Sequence, residues 1–375
     1  MKILMVVTEG NLGGAQRHVL DISRELTRRG HQIIIAVGGI HTELVEAADS
    51  GLPKISVVRL RNVVRSVRFS DDIKALIELY RLIRRERPDV VHCHSSKVGV
   101  LASIAGRLAG ARVVYTAHGF VFRENLGFLK RALYRWAEKF SSYFRNKIIA
   151  VSKSDADAAR AAHVIAHKKI ITIPNGIDVA LADQLLTPEE ARKKMGAWCG
   201  VDFSGADLVV SIANFYPVKN LPLLIRAFEF VVPRIPHARL VLIGEGEQRA
   251  MCERLVSENH TLQGKVFFAG KRPDAFEILR GADLVCLSST KEGMPYVVLE
   301  AQLAGTPVVA TRVGGVPEMG EGENLKLVVP HSAEIFSDAI VEMLRRDKNG
   351  SEKTAHKLFT LREMVDAIEA VYQSL

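Results

Sequence analysis

The chain has 375 residues, of which 48% are apolar and 25% are charged, and its net charge is +9. This composition is typical of a globular protein, and the length predicts two domains. No apolar run approaches the about 18 residues that a membrane-spanning helix needs, which excludes a spanning segment as the basis of any membrane contact.

The positive charge is concentrated in the first half of the chain. Residues 1–178 carry 29 Lys and Arg against 16 Asp and Glu, a net charge of +13, whereas residues 179–375 carry 22 against 26, a net charge of −4. The first half is therefore expected to favour an anionic partner. The charge alone leaves open a membrane surface, a phosphorylated lipid or a nucleic acid.

The cysteines and the N-terminal residues both indicate a cytoplasmic protein. Cys93, Cys199, Cys252 and Cys286 lie far apart and form no Cys-x-x-Cys motif, as expected for reduced thiols. The apolar run at residues 3–7 is too short for a signal peptide. We therefore expect any membrane contact to be made from the cytoplasmic face.

Short β-branched runs alternate with helical patterns along the first half. Because these runs are apolar throughout, they predict strands of a parallel sheet that is covered on both faces. The predicted strands are residues 3–7, 33–37, 56–60, 90–94, 113–118, 148–152 and 170–174.

The second half repeats this plan. Two βαβ arrays in tandem predict an α/β protein of two doubly wound, Rossmann-like domains with a cleft between them, at residues 1–177 and 178–357. A last helix, at about residues 361–372, has one apolar face and must pack on a domain that the pattern does not identify. The predicted strands of this half are residues 208–213, 240–244, 266–270, 284–288, 307–311 and 327–330.

Residues 284–304 carry the most informative pattern. A strand-like run, a polar loop and the first turns of a helix follow one another, and Glu292 and Glu300 lie eight residues apart in the loop and helix. A helix N-terminus offers free N–H groups to an anion, but a glutamate there repels phosphate. A sugar removes this conflict, because a carboxylate accepts two hydroxyl hydrogen bonds at once.

Two glycine patterns do not match a dinucleotide-binding loop. The pair Gly13-Gly14 follows the first strand and permits either close approach of a ligand or a plain tight turn, but it lacks Gly-x-Gly-x-x-Gly. Residues 244–249 place an arginine at the third small-residue position, and two glutamates there would repel a pyrophosphate.

His118 and Lys219 follow predicted strands, at the end where ligands bind in such folds. A lone histidine is usually structural, but this placement makes His118 a candidate functional residue. A lysine on such a loop either pairs with phosphates as a point charge or is simply solvated.

No metal is expected. His92 and His94 alternate on one strand without partner ligands nearby in the sequence. The Asp-x-Asp at residues 155–157 is interpreted as acidic charge at the start of a helix that Ser152 begins.

Residues 126–147 form a basic amphipathic segment. Such a helix either lies in a membrane interface or packs its apolar face on the core. We expect core packing for most of the apolar stripe, with the basic face near lipid head groups. Nucleic acid is not expected as a partner, because no recognised motif or aromatic stacking platform supports it. The apolar positions are Leu126, Leu129, Leu133, Trp136, Phe140 and Phe144, the basic ones are Lys130, Arg131, Arg135, Lys139, Arg145 and Lys147, and Arg59, Arg61, Arg65 and Arg68 add cations in another loop.

An ordered set of motifs runs almost the whole length of the chain. Each motif is weak alone, but the set at these spacings is specific, and on it the chain resembles the family 4 retaining glycosyltransferases of the glycosyltransferase group 1 type. The family fold is GT-B, with two Rossmann-like domains facing each other across a cleft. The motifs are Gly13-Gly14-Ala15-Gln16-Arg17-His18, Ala117-His118-Gly119, Ala150-Val151-Ser152, Ile173-Pro174-Asn175-Gly176-Ile177-Asp178, Gly244-Glu245-Gly246, Glu292-x7-Glu300 and the segment 304–318.

The resemblance implies roles for individual residues. Glu292 would bind hydroxyls of the donor sugar, Glu300 the ribose, Lys219 the departing diphosphate, and His118 would sit at the sugar ring, so that His118, Glu292 and Lys219 form the catalytic set. The C-terminal helix, about residues 358–375, would cross back onto the first domain. The other implied donor contacts are Gly14, Asn214, Arg272, Gly293, Met294, Tyr296 and Val297, and the implied acceptor contacts are Arg17, His18, Arg65 and Arg68.

One position departs from the family pattern. The family usually pairs its lysine with an arginine about five residues earlier, and this chain has Asn214 there, which can donate a hydrogen bond but carries no charge. Arg17 and Arg272 are the candidates for supplying the missing charge. The usual glycine of the tail motif is also absent from Glu323-Asn324-Leu325.

The resemblance implies transfer of a sugar, with retention, from a nucleotide diphosphate sugar, with a UDP-sugar favoured. Together with the basic first domain it predicts a lipid-linked glycan, or a lipopolysaccharide or exopolysaccharide precursor, as acceptor, and a peripheral location at the inner face of the cell membrane. No cofactor or metal is expected, because positioned cations and N–H groups would stabilise the leaving diphosphate. The alternatives are a GT-B sugar-nucleotide epimerase that needs no acceptor and a non-catalytic nucleic-acid-binding protein.

Overall fold

The computed structural model describes residues 1–11, 13–39, 43–49, 55–64, 68–124, 126–346 and 358–375. The chain divides into two compact units: Met1–Gly176 together with Phe359–Leu375, and Ile177–Leu358. The predicted join between residues 177 and 178 lies one residue from this division.

The first unit is built on a parallel sheet. Among the described residues it has seven strands in the order β3-β2-β1-β4-β5-β6-β7, and each overlaps one of the predicted runs. The central strands β1 and β4 are buried on both faces, as a sheet covered on both sides requires. The strands are β1 (Lys2–Val7), β2 (Gln32–Val37), β3 (Ile55–Arg59), β4 (Val90–His94), β5 (Arg112–Ala117), β6 (Lys147–Ala150) and β7 (Ile170–Thr172).

Helices cover both faces of this sheet. Helices α3, α4 and α6 contribute to the apolar cluster on one face, and α1, α2 and α12 contribute to the cluster on the other. The helices of this unit are α1 (Gly14–Arg28), α2 (Glu43–Asp49), α3 (Phe69–Glu86), α4 (Ser96–Leu108), α5 (Phe128–Ser142), α6 (Lys153–Ala161) and the C-terminal α12 (Leu361–Gln373).

The second unit repeats the design with six described strands, in the order β10-β9-β8-β11-β12-β13, all parallel. They are β8 (Asp207–Ile212), β9 (Ala238–Ile243), β10 (Val266–Gly270), β11 (Leu284–Leu287), β12 (Val308–Thr311) and β13 (Leu325–Val328). Its helices are α7 (Pro188–Cys199), α8 (Leu221–Val231), α9 (Arg249–Ser257), α10 (Tyr296–Ala304) and α11 (Ala333–Arg345).

Local chemistry explains several helix ends. Thr187 caps α7 and forms a capping box with Glu190, while Gly200 ends the helix in the left-handed conformation. Ser152 caps α6 as predicted, accepting a hydrogen bond from the backbone of Asp155. Asp155 is buried and paired with Arg123 at 2.6 Å, in keeping with its interpretation as a charge at a helix start.

The C-terminal helix α12 packs on the first unit. Its apolar face, including Met364, Val365 and Ile368, joins the same cluster as α1 and the sheet. Tyr372 donates to or accepts from His92 Nδ1 at 2.6 Å, which ties the helix to β4. The chain therefore returns to its first unit after completing the second.

Helix α5 contradicts the expectation that its apolar stripe packs on the core. Leu129, Leu133 and Trp136 are 82%, 62% and 63% exposed, so that interpretation is wrong. The helix buries its polar side instead, because Glu138 forms an ion pair with the fully buried Arg145 at 2.7 Å. A buried charge requires a buried partner, and this requirement turns the polar side of α5 inward.

None of the described helices combines the length and the apolar character that crossing a membrane would require.

Candidate functional site

The first group of candidate residues lies at the carboxyl ends of β8 and β11 in the second unit. These strands are neighbours, and the strand order runs outward from them in opposite directions, through β9 on one side and β12 on the other. Such a reversal of strand order leaves a crevice at the carboxyl ends of the strands, where doubly wound sheets bind ligands. Lys219 follows β8, and Glu292 follows β11.

Lys219 and Glu292 are paired directly. Lys219 Nζ lies 2.6 Å from Glu292 Oε1, and Ser289 Oγ donates to the same oxygen at 2.6 Å. The Glu292 side chain is only 10% exposed, and that of Lys219 is 25% exposed. The carboxylate is therefore held through Oε1 by one charged and one neutral donor, and its second oxygen is a further acceptor of the kind that a sugar hydroxyl needs.

Backbone and hydroxyl bonds join the two loops. Ser288 Oγ donates to the carbonyl of Lys219 at 2.9 Å, and the amide of Thr290 donates to the carbonyl of Val218 at 2.8 Å. The serines at 288 and 289 were not singled out from the sequence. Their position directly after a buried strand is the signal that would have found them.

A glycine supports the backbone of Glu292 from behind. Gly314, in the loop after β12, has φ +55°, and a Cβ at this position would overlap the carbonyl oxygen of Glu292. The backbone conformation and the close approach both require glycine here. The Gly314-Gly315 motif therefore shapes the loop that carries the carboxylate.

The rest of the loop leads into α10. The helix begins at Tyr296, directly after Pro295, and ends at Gly305, which has φ +74°. Gly293, Met294 and Tyr296 are buried, Val297 is partly buried, and the Glu300 carboxylate is buried on the helix. The predicted donor-binding segment is thus a packed loop and a helix N-terminus.

Asn214 follows β8 in a region of close backbone packing. A Cβ at Gly244 would lie 2.0 Å from the carbonyl oxygen of Ala213, and a Cβ at Gly246 would lie 2.8 Å from the backbone of Phe215. The Phe215 amide donates to the carbonyl of Glu245 at 2.8 Å, so the loops after β8 and β9 are bonded together. These glycines are explained by backbone packing between loops.

Arg272, a candidate for the missing charge at Asn214, follows β10. Its Nε donates to the carbonyl of Ala269 at 2.8 Å, and its guanidinium lies 5.2 Å from the centre of the Trp198 ring. The side chain is therefore positioned by contacts with β10 and α7.

The second group of candidate residues is a set of histidines in the first unit. His18 comes from α1, His92 and His94 from β4, and His118 follows β5. His94 Nδ1 lies 3.3 Å from His118 Nε2, and the ring centroids of His18 and His118 are 4.7 Å apart. His92 is held between Thr116 Oγ1, at 2.7 Å, and Tyr372. The sequence showed these histidines separately and did not predict that they meet.

All four rings are kept neutral near pH 7. Burial lowers the pKa of His118 to about 4 and that of His92 to about 3. Burial, together with the neighbouring histidines, holds the pKa of His18 and of His94 well below the usual value. Four imidazoles packed together cannot all carry charge in a low-dielectric interior, so the neutral form prevails.

His18, His94 and His118 each bring a ring nitrogen within 4.8 Å of the other two, which is a grouping that could hold a metal ion. His92 and His94 have no partner ligands nearby in the sequence, but the fold brings His18 and His118 from other segments next to His94. The prediction that the protein needs no metal stays a prediction.

The described acceptor candidates lie on α1 and directly before α3. His18 is fully buried against the other histidines, Arg17 pairs with Asp21 of α1 at 3.4 Å, and Arg68 is exposed before the start of α3. Arg65 lies outside the described residues. Gly14 is the first residue of α1, as the glycine pair indicated.

The chain matches two family models, Glycosyltransferase Family 4 over residues 12–181 and Glycosyl transferases group 1 over residues 206–346. It is 30% identical over 313 residues to the putative glycosyltransferase EpsD of Bacillus subtilis (strain 168), covering 78% of this chain and 79% of that protein. It is also 30% identical over 254 residues to the UDP-Gal:alpha-D-GlcNAc-diphosphoundecaprenol alpha-1,3-galactosyltransferase of Escherichia coli. That match covers 67% of this chain and 65% of the enzyme, just under two thirds of its length.

Among solved structures, HepE of Anabaena in complex with UDP-glucose is similar over 100% of both chains, with a TM-score of 0.84 and 22% sequence identity. At this identity the likeness establishes the fold alone. The predicted fold class, two Rossmann-like α/β domains of the GT-B type, is confirmed.

Proposed function

The chain belongs to the family 4, group 1 glycosyltransferases, and on that premise we propose that it transfers a sugar from a nucleotide diphosphate sugar, a UDP-sugar being favoured, to a lipid-linked glycan. It is a transferase of the EC 2.4 class, and the proposal concerns its substrates, its stereochemistry and its location. The anomeric configuration of the sugar is retained.

The pairing of Lys219 with Glu292 carries this proposal. A cation suited to a leaving diphosphate lies 2.6 Å from a carboxylate suited to sugar hydroxyls, at the ligand-binding edge of one sheet. A nucleotide diphosphate sugar presents both chemical groups side by side. A site for a free nucleotide would need no carboxylate at this position, because it would repel phosphate.

The donor and acceptor classes are supported by what the relatives are named for. The Escherichia coli relative is named for UDP-Gal and for a diphosphoundecaprenol-linked acceptor, and HepE was solved with UDP-glucose. For this chain we propose the same classes: a UDP-sugar donor and, as acceptor, a lipid-linked glycan or a lipopolysaccharide or exopolysaccharide precursor. The reported relatives are glycosyltransferases, which does not favour the epimerase alternative.

In the proposed reaction, the bond between the anomeric carbon and the diphosphate breaks while the acceptor oxygen bonds to that carbon from the same face. The acceptor proton leaves with the diphosphate. Glu292 orients the sugar, and Lys219 together with N–H groups of the donor loop stabilises the charge that develops on the leaving group. No resident metal is required for this step. Glu300 as ribose ligand, and His118 and Gly14 as further donor contacts, stay predictions.

We place the enzyme at the inner face of the cell membrane, with the first unit toward the acceptor. The net charge of +13 on residues 1–178 supports this placement, since it favours an anionic surface. A lipid-linked acceptor would be held in the same surface.

The proposal is tested in two steps. A panel of nucleotide sugars is first screened by thermal shift, where a UDP-sugar should raise the unfolding temperature most. Transfer of the stabilising sugar to a polyprenyl-diphosphate glycan is then measured with and without EDTA. Rates should be equal in both, and NMR should show a retained anomeric configuration.

Three results would count against the proposal. The first is that none of the UDP-sugars raises the unfolding temperature. The second is that a UDP-sugar is converted to its epimer without an acceptor, and the third is that transfer is lost on adding EDTA. The last of these would overturn only the metal-independent mechanism.

A further inference from the structure

Helix α5 presents its apolar face to solvent. Leu129, Leu133, Trp136, Phe140 and Tyr143 follow one another at intervals of four, three, four and three residues, so they form one stripe along the helix. Their exposed fractions range from 41% for Phe140 to 82% for Leu129. Water-exposed apolar surface of this extent on one helix indicates a surface that contacts something apolar.

The opposite side of α5 fixes this orientation. Glu138 and Ser141 are buried, and Arg145, just beyond the helix, donates to Glu138 Oε2 at 2.7 Å and to Ser103 Oγ of α4 at 3.1 Å. The Arg145 guanidinium also lies 3.8 Å from the centre of the Tyr115 ring. Rotating the helix to bury its apolar stripe would break this buried ion pair, so the exposure is built into the fold.

Only positive charge borders the stripe. Lys130, Arg135 and Lys139 are all exposed, and none of them pairs with a carboxylate within the part of the chain that the structure describes. The acidic residue of α5 is Glu138, which is buried and neutralised by Arg145. An apolar stripe flanked by unpaired cations is complementary to an anionic lipid surface, where head groups meet the cations and acyl chains meet the apolar residues.

A second row of exposed apolar residues lies on α3, a helix of the same layer as α4 and α5. Phe69, Ile73, Ile77 and Tyr80 of α3 are exposed at intervals of four, four and three residues, and Phe69 is 84% exposed. Helix α3 packs against α4, which packs against α5. The outer side of this layer thus carries apolar residues on two helices, and exposed cations accompany the row on α3 at Arg68, Lys74, Arg81, Arg84 and Arg85.

We propose that the exposed face of α5, with Leu129, Leu133, Trp136, Phe140 and Tyr143 inserted, is the surface by which this protein docks on an anionic lipid bilayer. The helix lies parallel to the membrane plane, and its 15 residues extend about 22 Å along the surface. This inference rests on the proposed function, because a lipid-linked acceptor would be presented at the same surface. It assigns the docking to one helix face rather than to the charge of the whole unit.

Tryptophan fluorescence tests the proposal directly, because the chain has two tryptophans and one lies in the stripe. In the full chain carrying Trp198→Phe, Trp136 is the sole emitter. Its emission should shift to shorter wavelength with vesicles that contain phosphatidylglycerol, and brominated lipids should quench it. No shift and no quenching would overturn the proposal.

Paired variants separate the stripe from its charge. In the Trp198→Phe chain, Leu133→Glu should lower the partition coefficient into phosphatidylglycerol vesicles at least tenfold, and each of Lys130→Gln, Arg135→Gln and Lys139→Gln should lower it about fivefold at low salt. The matched control is Phe230→Glu, on an exposed aromatic residue of α8 in the second unit, which should leave it unchanged. Equal losses in Leu133→Glu and Phe230→Glu would refute the assignment to α5.

Two further measurements distinguish this inference from the proposed function and from a protein partner. Leu133→Glu should keep UDP-sugar stabilisation and transfer to a short-chain, water-soluble acceptor, yet lose transfer to an acceptor embedded in vesicles. If vesicle binding by α5 is found without any transfer, the docking surface stands and the proposed substrates are wrong. If light scattering shows a dimer that Leu133→Glu dissociates, and vesicles do not bind, the face is a protein interface and the proposal is overturned.

Discussion

Lys219 Nζ and Glu292 Oε1 are 2.6 Å apart, although the two residues are separated by 73 positions in the chain. The cation proposed for the leaving diphosphate and the carboxylate proposed for the sugar therefore contact each other directly. Removing either partner also changes the surroundings of the other. The strengths of nucleotide and sugar binding are thus linked through the pair.

Substituting Lys219 and Glu292 separately should distinguish binding of the nucleotide diphosphate from binding of the sugar. Lys219→Met should weaken UDP binding by about tenfold or more, because a charge-assisted contact to phosphate is lost. Glu292→Gln should leave UDP binding equal or tighter, since Lys219 is released, and should remove the preference for UDP-sugar over UDP. Calorimetry with both ligands measures this, and transfer should fall about 10²–10³-fold in each variant.

The control for both is Lys326→Met, which removes a more exposed lysine–glutamate pair of the same unit, with Glu342 at 3.1 Å. It should change neither binding nor transfer. Weaker UDP binding in Glu292→Gln than in Lys219→Met would reverse the roles proposed for the two residues.

Gly314→Ala should disrupt the loop that carries Glu292. The new Cβ would overlap the carbonyl of Glu292, and φ +55° adds the strain of a left-handed alanine, about 1–3 kcal/mol. We expect the free energy of unfolding to fall by more than this strain alone, and UDP-sugar binding to be lost. The matched control is Gly305→Ala, which has φ +74° but open space around the Cβ and should cost about 1 kcal/mol with binding retained. Equal effects in the two variants would show that backbone overlap at Gly314 is unimportant.

The buried histidines should make stability depend on pH below neutrality. The pKa values of His18, His92, His94 and His118 are lowered by burial, to about 3 for His92 and about 4 for His118, whereas the unfolded chain takes up these protons near pH 6.5. Between these folded and unfolded pKa values the unfolded state binds more protons than the folded state. The histidines' contribution to the free energy of unfolding is therefore fully present above about pH 6.5 and is lost as the pH falls toward 4. Each histidine contributes a slope of about 1.4 kcal/mol per pH unit in that window.

Urea unfolding between pH 7.5 and 4.5 measures this slope. His92→Gln should reduce it, whereas His167→Gln, at an exposed position, should not. Identical slopes in the parent chain and in His92→Gln would contradict a neutral, buried His92.

Removing the charge of Arg145 should destabilise the first unit strongly. Arg145→Met leaves Glu138 buried without its cation, a loss of about 3–5 kcal/mol in the free energy of unfolding. The double variant Arg145→Met with Glu138→Leu should recover much of this loss, because the uncompensated charge is removed. Chemical denaturation measures both, and Arg234→Met, whose partner Asp338 is exposed, serves as the control with a loss of at most about 1 kcal/mol. If Arg145→Met were as stable as Arg234→Met, the ion pair between Arg145 and Glu138 would not be needed to hold α5.

Much of the fold could be predicted because its signals are local. Each of the described strands overlaps a short run of β-branched and apolar residues, and the loop between β11 and α10 was visible from the polar residues around Glu292. The order of the strands, and the unit on which α12 packs, could be read only from the tertiary structure. Apolar periodicity shows that a helix face is buried, but it does not show what covers that face.

The sequence by itself determined the two tandem sheets, the loop and helix that carry Glu292 and Glu300, and the family motifs, since these depend on residues close together in the chain. Only the tertiary structure decided that Lys219 meets Glu292, that His18, His94 and His118 meet, and that α5 turns its apolar stripe outward. The first two depend on strand order. The third depends on a buried ion pair: the spacing of Leu129, Leu133 and Trp136 favoured core packing, but the need of Arg145 for a buried carboxylate outweighed it.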